Sequence, residues 1–447
     1  MEMDFSVSED TQVVLLLCGA LGRADRDLAP LTTPQYNAFA LALNALGKRP
    51  AQLVADGLPN EDLIDACCAA MAGGGRVKPV EKDRVTALLR RGVALSIALD
   101  KWASYGVRVV GRADAHYPER LKKRLGGKTP PVLYFSGNAD LLLGGGMAFV
   151  GSRDITEDAS EMIRSVVREC VGNAMNIVSG GARGADQTAM QEAFSNGGNV
   201  IGAVPCDLLK TCLDPSNREA LASGNALLFS AFDPETRPFS YGAVAMDRNK
   251  YIYGMSDACF VAQSGVGTKS GTWSGAAEEL KRENHQPVFV YLPQNPSEGC
   301  VDLSKKGAIA WQVGRTVSEN LSSADQQIAN LNYGGDLFSA ASTVQSSRPV
   351  DETLAAPRES EIVRSERKLT PYGVVREWIA DFLCASRDEK DVKKRMAKDL
   401  DLVPAQIKQW LEKLEYEGIL RRTEYPKGKK GKVVMCERGL SSVRSQT

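Results

Sequence analysis

Five cations stand in or beside glycine-rich segments of the chain: Arg153, Arg183, Arg248, Lys250 and Lys269. Four segments carry them, at 151–153, 179–186, 247–250 and 264–272. Glycine lets a backbone approach a ligand closely and turn its N–H groups outward. Ser and Thr hydroxyls add donors without bulk, and a helix starting just after such a loop adds partial positive charge. Phosphate is the natural guest. A P-loop requires G-x-x-x-x-G-K-[ST], which no stretch fits. A dinucleotide fingerprint, G-x-G-x-x-G, begins at Gly265 and Gly267 but meets Ser270 at its third glycine position. A mononucleotide needs only a cation or two, whereas a run of phosphates along a strand can use all of these. The expected contacts are therefore Gly151, Ser152 and Arg153; Ser179, Gly180, Gly181, Arg183, Gly184 and Asp186; Arg248, Asn249 and Lys250; and Gly265, Gly267, Thr268, Lys269, Ser270, Gly271 and Thr272. Asp186 reads as a loop-fixing carboxylate rather than a catalyst.

The elements that must position these segments alternate. Apolar runs at 147–150, 176–179, 200–204, 226–229, 259–262 and 288–292 read as strands. Amphipathic stretches at 157–171, 185–194 and 272–283 read as helices between them. That order implies an α/β fold, a Rossmann-like, doubly wound and mostly parallel sheet, with ligand loops at the carboxyl ends of its strands. Residues 1–105 read as a helical domain, broken at Pro30, Pro50, Pro59 and the glycines 73–75. Within the core domain, 106–314, residues 106–146 read as a connector with short strands near Val109 and Val132. Residues 315–370 are Ser-rich and poor in aromatics, which predicts a flexible linker. Residues 371–447 predict a winged helix: helices around Trp378, Val392 and Trp410, then strands at 420–425 and 432–436 joined by a basic tip. Glu412, Glu415 and Glu417 on its third helix count against insertion into a DNA groove.

Composition narrows the function classes. The chain has 447 residues, 55 Lys plus Arg against 55 Asp plus Glu, and 43% hydrophobic residues. Zero net charge argues against a wholly basic nucleic-acid binder and leaves a local basic surface open. No run of about 18 apolar residues or signal-like start is present, so a cytoplasmic protein is expected. The 10 cysteines are scattered, with no C-x-x-C, and read as reduced thiols. With 2 histidines, no metal site, cofactor or His-dependent catalytic set is expected.

An ordered series of motifs also carries a resemblance. It runs Tyr117-Pro118-x-x-Leu121, Pro130-Pro131-x-Leu133-Tyr134, Gly137-Asn138, Val150-Gly151-Ser152-Arg153, Val178-Ser179-Gly180-x-Ala182-x-Gly184-Ala185-Asp186, Arg248-Asn249-Lys250, and Ser264-Gly265 leading to Gly271-Thr272. The series resembles the DprA/Smf family over roughly 100–312. The resemblance implies an extended Rossmann core that dimerises or forms higher oligomers, binds single-stranded DNA without strong sequence preference, and helps load a RecA-type recombinase. It implies binding and no catalysis. The series departs at Lys250, where the family has arginine, and at Pro293-Gln294, where it has Pro-Gly. These departures suggest a divergent branch, with a phage-defence pair as an alternative setting to transformation.

Two other readings stay open. Gly265-x-Gly267-Thr268 with Glu278 and Glu279 downstream also resembles nucleotide N-glycosidases, in which Arg153 would hold phosphate and a glutamate would stabilise an oxocarbenium-like transition state. Exposed helix positions are the plainer reading of both glutamates. A nucleic-acid sensor or antitoxin of a defence pair is the other. Tyr251 and Tyr253 are candidate base-stacking rings, with core or dimer packing as the plainer assignment.

Overall fold

The computed structural model describes residues 6–21, 28–72, 77–235, 241–268, 270–282 and 285–324, and beyond these 387–388, 411, 420–423 and 432–435. The chain divides into two compact units, Met1–Ala324 and Asp325–Thr447.

The first unit opens on helices. Glu9–Cys18, Thr33–Ala45, Glu61–Ala72, Lys82–Leu89 and Gly92–Ser104 are α-helical. The first two start behind side-chain caps: Ser8 accepts from the Thr11 amide, and Thr32 with Gln35 forms a reciprocal capping box. Helix Glu9–Cys18 buries Val13 to Leu17 without a break, so it lies at the centre of this layer. A small hairpin of β1 (Val54–Ala55) and β2 (Leu58–Pro59) joins two of the helices.

Nine strands form the main sheet: β3 (Arg108–Gly111), β4 (Val132–Gly137), β5 (Met147–Val150), β6 (Ile177–Ser179), β7 (Val200–Ala203), β8 (Ala226–Ser230), β9 (Ala258–Val261), β10 (Val288–Val290) and β11 (Ile309–Ala310). Their order is β11-β10-β9-β5-β6-β7-β8-β4-β3. From β5 to β11 every pairing is parallel. Every residue of β5, β6, β7, β8, β9 and β10 is buried, as a parallel sheet covered on both faces requires. Helices Glu157–Gly172 and Ala185–Ser195 cover one face, with Ile163, Val167 and Ala189 packed on Phe149 and Ile177. Helix Tyr241–Met255 and helix Gly271–Glu279 cover the other, where Ile252 and Ala276 meet Val150 and Val261.

The segment 106–146 is more than a connector. β4 extends the sheet antiparallel to β8, with Tyr134 opposite Ser230, and β3 in turn pairs antiparallel with β4. The reason lies in β4, whose residues Val132 to Ser136 are all buried and demand cover on both faces. Leu133 and Phe135 face the Rossmann core, and Val132 and Tyr134 face the helical layer. There the Tyr134 ring meets Trp102 edge-on at 5.1 Å. Helices Leu208–Leu213 and Pro215–Ala222 stand between β7 and β8, where the sequence reading placed none.

Residues 317–324 are helical, and the Val317 amide donates to Glu169 Oε1 at 2.5 Å. The rest of the predicted linker lies outside the described residues. In the second unit, β12 (Arg387–Asp388), β13 (Leu420–Thr423) and β14 (Lys432–Met435) form an antiparallel sheet in the order β12-β14-β13. The helices predicted there lie outside the described residues, except that Leu411 is helical and buried. Among the described residues, no helix is long and apolar enough to cross a membrane, and no cluster of side chains has the makings of a metal site.

Candidate nucleic-acid interface

Strand order creates the site. From β5 the chain steps outward through β6, β7 and β8, and β9 then returns to pair on the opposite side of β5. The chain leaves β5 and β9 toward opposite faces of the sheet, which is where a crevice forms at the carboxyl ends of the strands. The first predicted segment follows β5, the second follows β6, and the fourth follows β9.

Hydrogen bonds tie these loops together. The Ser152 amide donates to Gln263 O at 2.9 Å, and the Thr156 amide to Gln263 Oε1 at 2.9 Å. Thr272 Oγ1 donates to Gly151 O at 2.8 Å, binding the last loop to the first. The Ala185 amide donates to Ser152 O at 3.2 Å. Two glycines permit this nesting. A Cβ on Gly151 would lie 2.4 Å from Ala185 Cβ, and Gly184 has φ +87° with its Cβ position 2.3 Å from Ser152 O. Only glycine combines that conformation with that approach.

Beneath the second loop is a buried charge pair. Asp186 is 6% exposed and accepts from the Gly180 and Ala182 amides at 3.2 and 3.4 Å. Burial pushes its pKa up to about 6, against the opposing pull of Arg248, the two loop amides and Ser179. Arg248 is 4% exposed and donates from Nη1 to Gly180 O at 2.8 Å and to Ala203 O. It braces the ends of β6 and β7 from inside. Ser179 is also internal, donating to Phe149 O at 2.7 Å.

The third predicted segment is not a loop. Asp247 to Lys250 lie within helix Tyr241–Met255. The helical geometry sets Lys250 Nζ 2.6 Å from Asp247 Oδ1, one turn back, and places its charge over the Tyr251 ring at 5.0 Å. Asn249 Nδ2 donates to Gly271 O at 3.3 Å, so this helix also anchors the fourth loop. Tyr251 and Tyr253 are 6% and 2% exposed, which is core packing. In the fourth loop Gly267 has φ +84°, and Ser270 caps helix Gly271–Glu279 by accepting from the Trp273 amide at 3.3 Å. Ser264 Oγ donates to Gly265 O at 2.9 Å, and Ser274 Oγ to Thr268 O at 3.3 Å. Lys269 lies outside the described residues.

The cations thus divide. Arg153 is exposed at the crevice and makes no ion pair among the described residues. Arg183 is exposed and clasped to Asp154 at 2.6 Å. Sequence reasoning missed Asp154 and Gln263; the first polar residue after the buried run of β9 and Ala262 was the available signal for Gln263. As for the glutamates, Glu278 pairs with Lys128 at 2.7 Å, and Glu279 is 1% exposed. Neither is the free carboxylate facing a bound sugar that glycosidic cleavage needs.

Residues 108–322 match the family described as DNA recombination-mediator protein A. The DNA processing protein DprA of Streptococcus pneumoniae is 30% identical over 183 residues, which cover 40% of this chain and 62% of that protein. Protein Smf of Borreliella burgdorferi is 29% identical over 198 residues, covering 43% and 59%. The match thus spans about three fifths of the length of these relatives. The X-ray structure of DprA from Streptococcus pneumoniae shares the fold, with a TM-score of 0.52 and 21% identity over 71% of this chain and 98% of that one. The match runs from β3 through β11 and takes in every loop of the crevice, so over residues 108–322 this chain is similar to the DNA recombination-mediator protein A, or DprA/Smf, family.

Proposed function

We propose that this chain binds single-stranded DNA across the carboxyl ends of β5, β6 and β9 and acts as a recombination mediator. The observation that carries the reading is Arg153: an exposed guanidinium without an ion pair among the described residues, set where loops from both halves of the sheet converge. A phosphate there meets Arg153 and the start of helix Gly271–Glu279, and competes with Asp154 for Arg183. The match of residues 108–322 to a family named for recombination mediation, and a relative named as a DNA processing protein, support the same reading. Assembly as a homodimer, and a recombinase or a defence-system protein as partner, belong to this proposal too. So do a cytoplasmic setting and the division into domains at 1–105, 106–314, 315–370 and 371–447.

The test is fluorescence anisotropy with single-stranded and duplex oligonucleotides across a salt series, for wild type and Arg153→Ala. Tight binding that prefers single strands is expected, with log K falling about 0.7 per decade of salt for each phosphate neutralised. Arg153→Ala should weaken it about tenfold and reduce the slope. Binding that is indifferent to salt, or to Arg153, refutes the reading.

A further inference from the structure

Of the two exposed arginines at the crevice, Arg153 stands open and Arg183 is already taken. Arg183 Nη2 donates to Asp154 Oδ1 at 2.6 Å. Asp154 follows β5 and Arg183 follows β6, so the pair spans the first two loops. The backbone that carries Asp154 is fixed on either side. The Ser152 amide donates to Gln263 O and the Thr156 amide to Gln263 Oε1, both at 2.9 Å. Between them the Asp154 amide donates to Ser152 Oγ at 3.3 Å, and Gln263 Nε2 to Asp154 O at 3.5 Å. Gly184 brings the second loop against the first, its Cβ position 2.6 Å from Arg153 O. Arg183, one residue earlier, is thereby set beside both Arg153 and Asp154.

Neighbouring residues of one loop thus act oppositely. Arg153 offers a cation, and Asp154 supplies an anion that fills the next one. A carboxylate on a guanidinium uses the donors that a phosphate would use, because the planar fork matches the oxygens of either group. The pair is also cheap to open. Its side chains are 71% and 84% exposed, and ion pairs in water are held by a small margin. A buried pair would be a fixed part of the fold, whereas a competing anion can displace this one.

We propose that Asp154 is a built-in competitor that limits how tightly the crevice holds phosphate and speeds the release of a bound strand. Asp154 is turned out as a phosphate reaches Arg183, and retakes the guanidinium as the phosphate leaves. Its charge also repels the phosphate while both are near. The competition needs only phosphate at Arg183; its bearing on strand release rests on the DNA-binding reading above.

The experiment compares the full chain as wild type, Asp154→Asn, Arg183→Ala and the double variant. Asn keeps the shape of Asp and removes its charge. A merely structural Asp154 would leave binding unchanged or weaken it, so a gain is diagnostic. Anisotropy with labelled oligo-dT reads affinity, and a chase with unlabelled oligo-dT reads release. Calorimetry with tripolyphosphate reads the competition without DNA. Asp154→Asn should bind both ligands about threefold tighter, within the range of an exposed ion pair, with most of the oligo-dT gain appearing as slower release. Arg183→Ala should bind both more weakly. Adding Asp154→Asn to it should change little, because the carboxylate then has no guanidinium to hold. Asp154→Asn binding no tighter than wild type overturns the proposal. So does an equal gain in the Arg183→Ala background, which reports the lost charge alone. Oligo-dT binding to which Asp154→Asn is indifferent sinks this inference alone. A tripolyphosphate gain without any oligo-dT binding keeps the competition and sinks the DNA reading. If no variant binds either ligand, both fall.

Discussion

The Arg248 guanidinium is 4% exposed and holds two carbonyls at the ends of β6 and β7, whereas that of Arg153 faces solvent. Their removal should therefore be felt differently. Arg248→Met leaves Gly180 O, Ala203 O and the Asp186 carboxylate short of a partner, and is expected to cost roughly 3–5 kcal/mol of stability, read as a lowered Tm. Arg153→Ala should leave Tm unchanged and act on binding alone. Asp186 adds a pH dependence. Burial raises its folded pKa to about 6 from 3.8, so the folded state holds the proton more tightly than the unfolded chain. The resulting stabilisation is complete below pH 3.8 and is lost as pH rises through about 6. The Tm difference between wild type and Asp186→Asn should therefore change between pH 4 and 6 and stay level above about 7. A difference that is flat across the acid range contradicts the assignment. The plain sequence reading of Asp186 as a loop-fixing carboxylate agrees with its bonds to the Gly180 and Ala182 amides.

At the scale of elements, the site depends on loops nested tightly enough to touch. Gly184→Ala places a methyl group 2.3 Å from Ser152 O in a left-handed conformation. It should destabilise by roughly 1–3 kcal/mol and pull the first two loops apart, with DNA affinity falling well beyond what Tm predicts. Thr272→Val removes the bond to Gly151 O and is expected to weaken binding severalfold at constant fold, checked by anisotropy beside circular dichroism. The glycine-rich loops after β5, β6 and β9 were legible in the sequence because apolar runs bracket them. The helix carrying Asp247 to Lys250 was not. Its apolar and polar residues are mixed round the helix, so it shows almost no amphipathic stripe, and the basic cluster drew the eye to a loop.

For the first unit as a whole, β4 lies between two cores. Its alternate residues feed the helical layer through Tyr134 and the Rossmann layer through Phe135. Phe135→Ala should cost about 3–5 kcal/mol. It should also loosen the helical layer, since β4 carries Tyr134, whose ring meets Trp102 of that layer edge-on. Hydrogen exchange should show both layers losing protection together; a helical layer that keeps its protection would contradict the shared strand.

The sequence by itself determined the strand–helix alternation from β5 to β10 and the places of three of the four loops. These are local: they follow from apolar periodicity and from glycine, serine and arginine at turns. Only the tertiary structure decided which cations face solvent, because burial depends on elements far apart in the chain. Arg248 is internal because the ends of β6 and β7 close over it, and Arg183 is held because Asp154 stands on the neighbouring loop. The same holds for Glu279. Sequence presents it as one of two adjacent glutamates on a helix, and packing alone buries one and exposes the other.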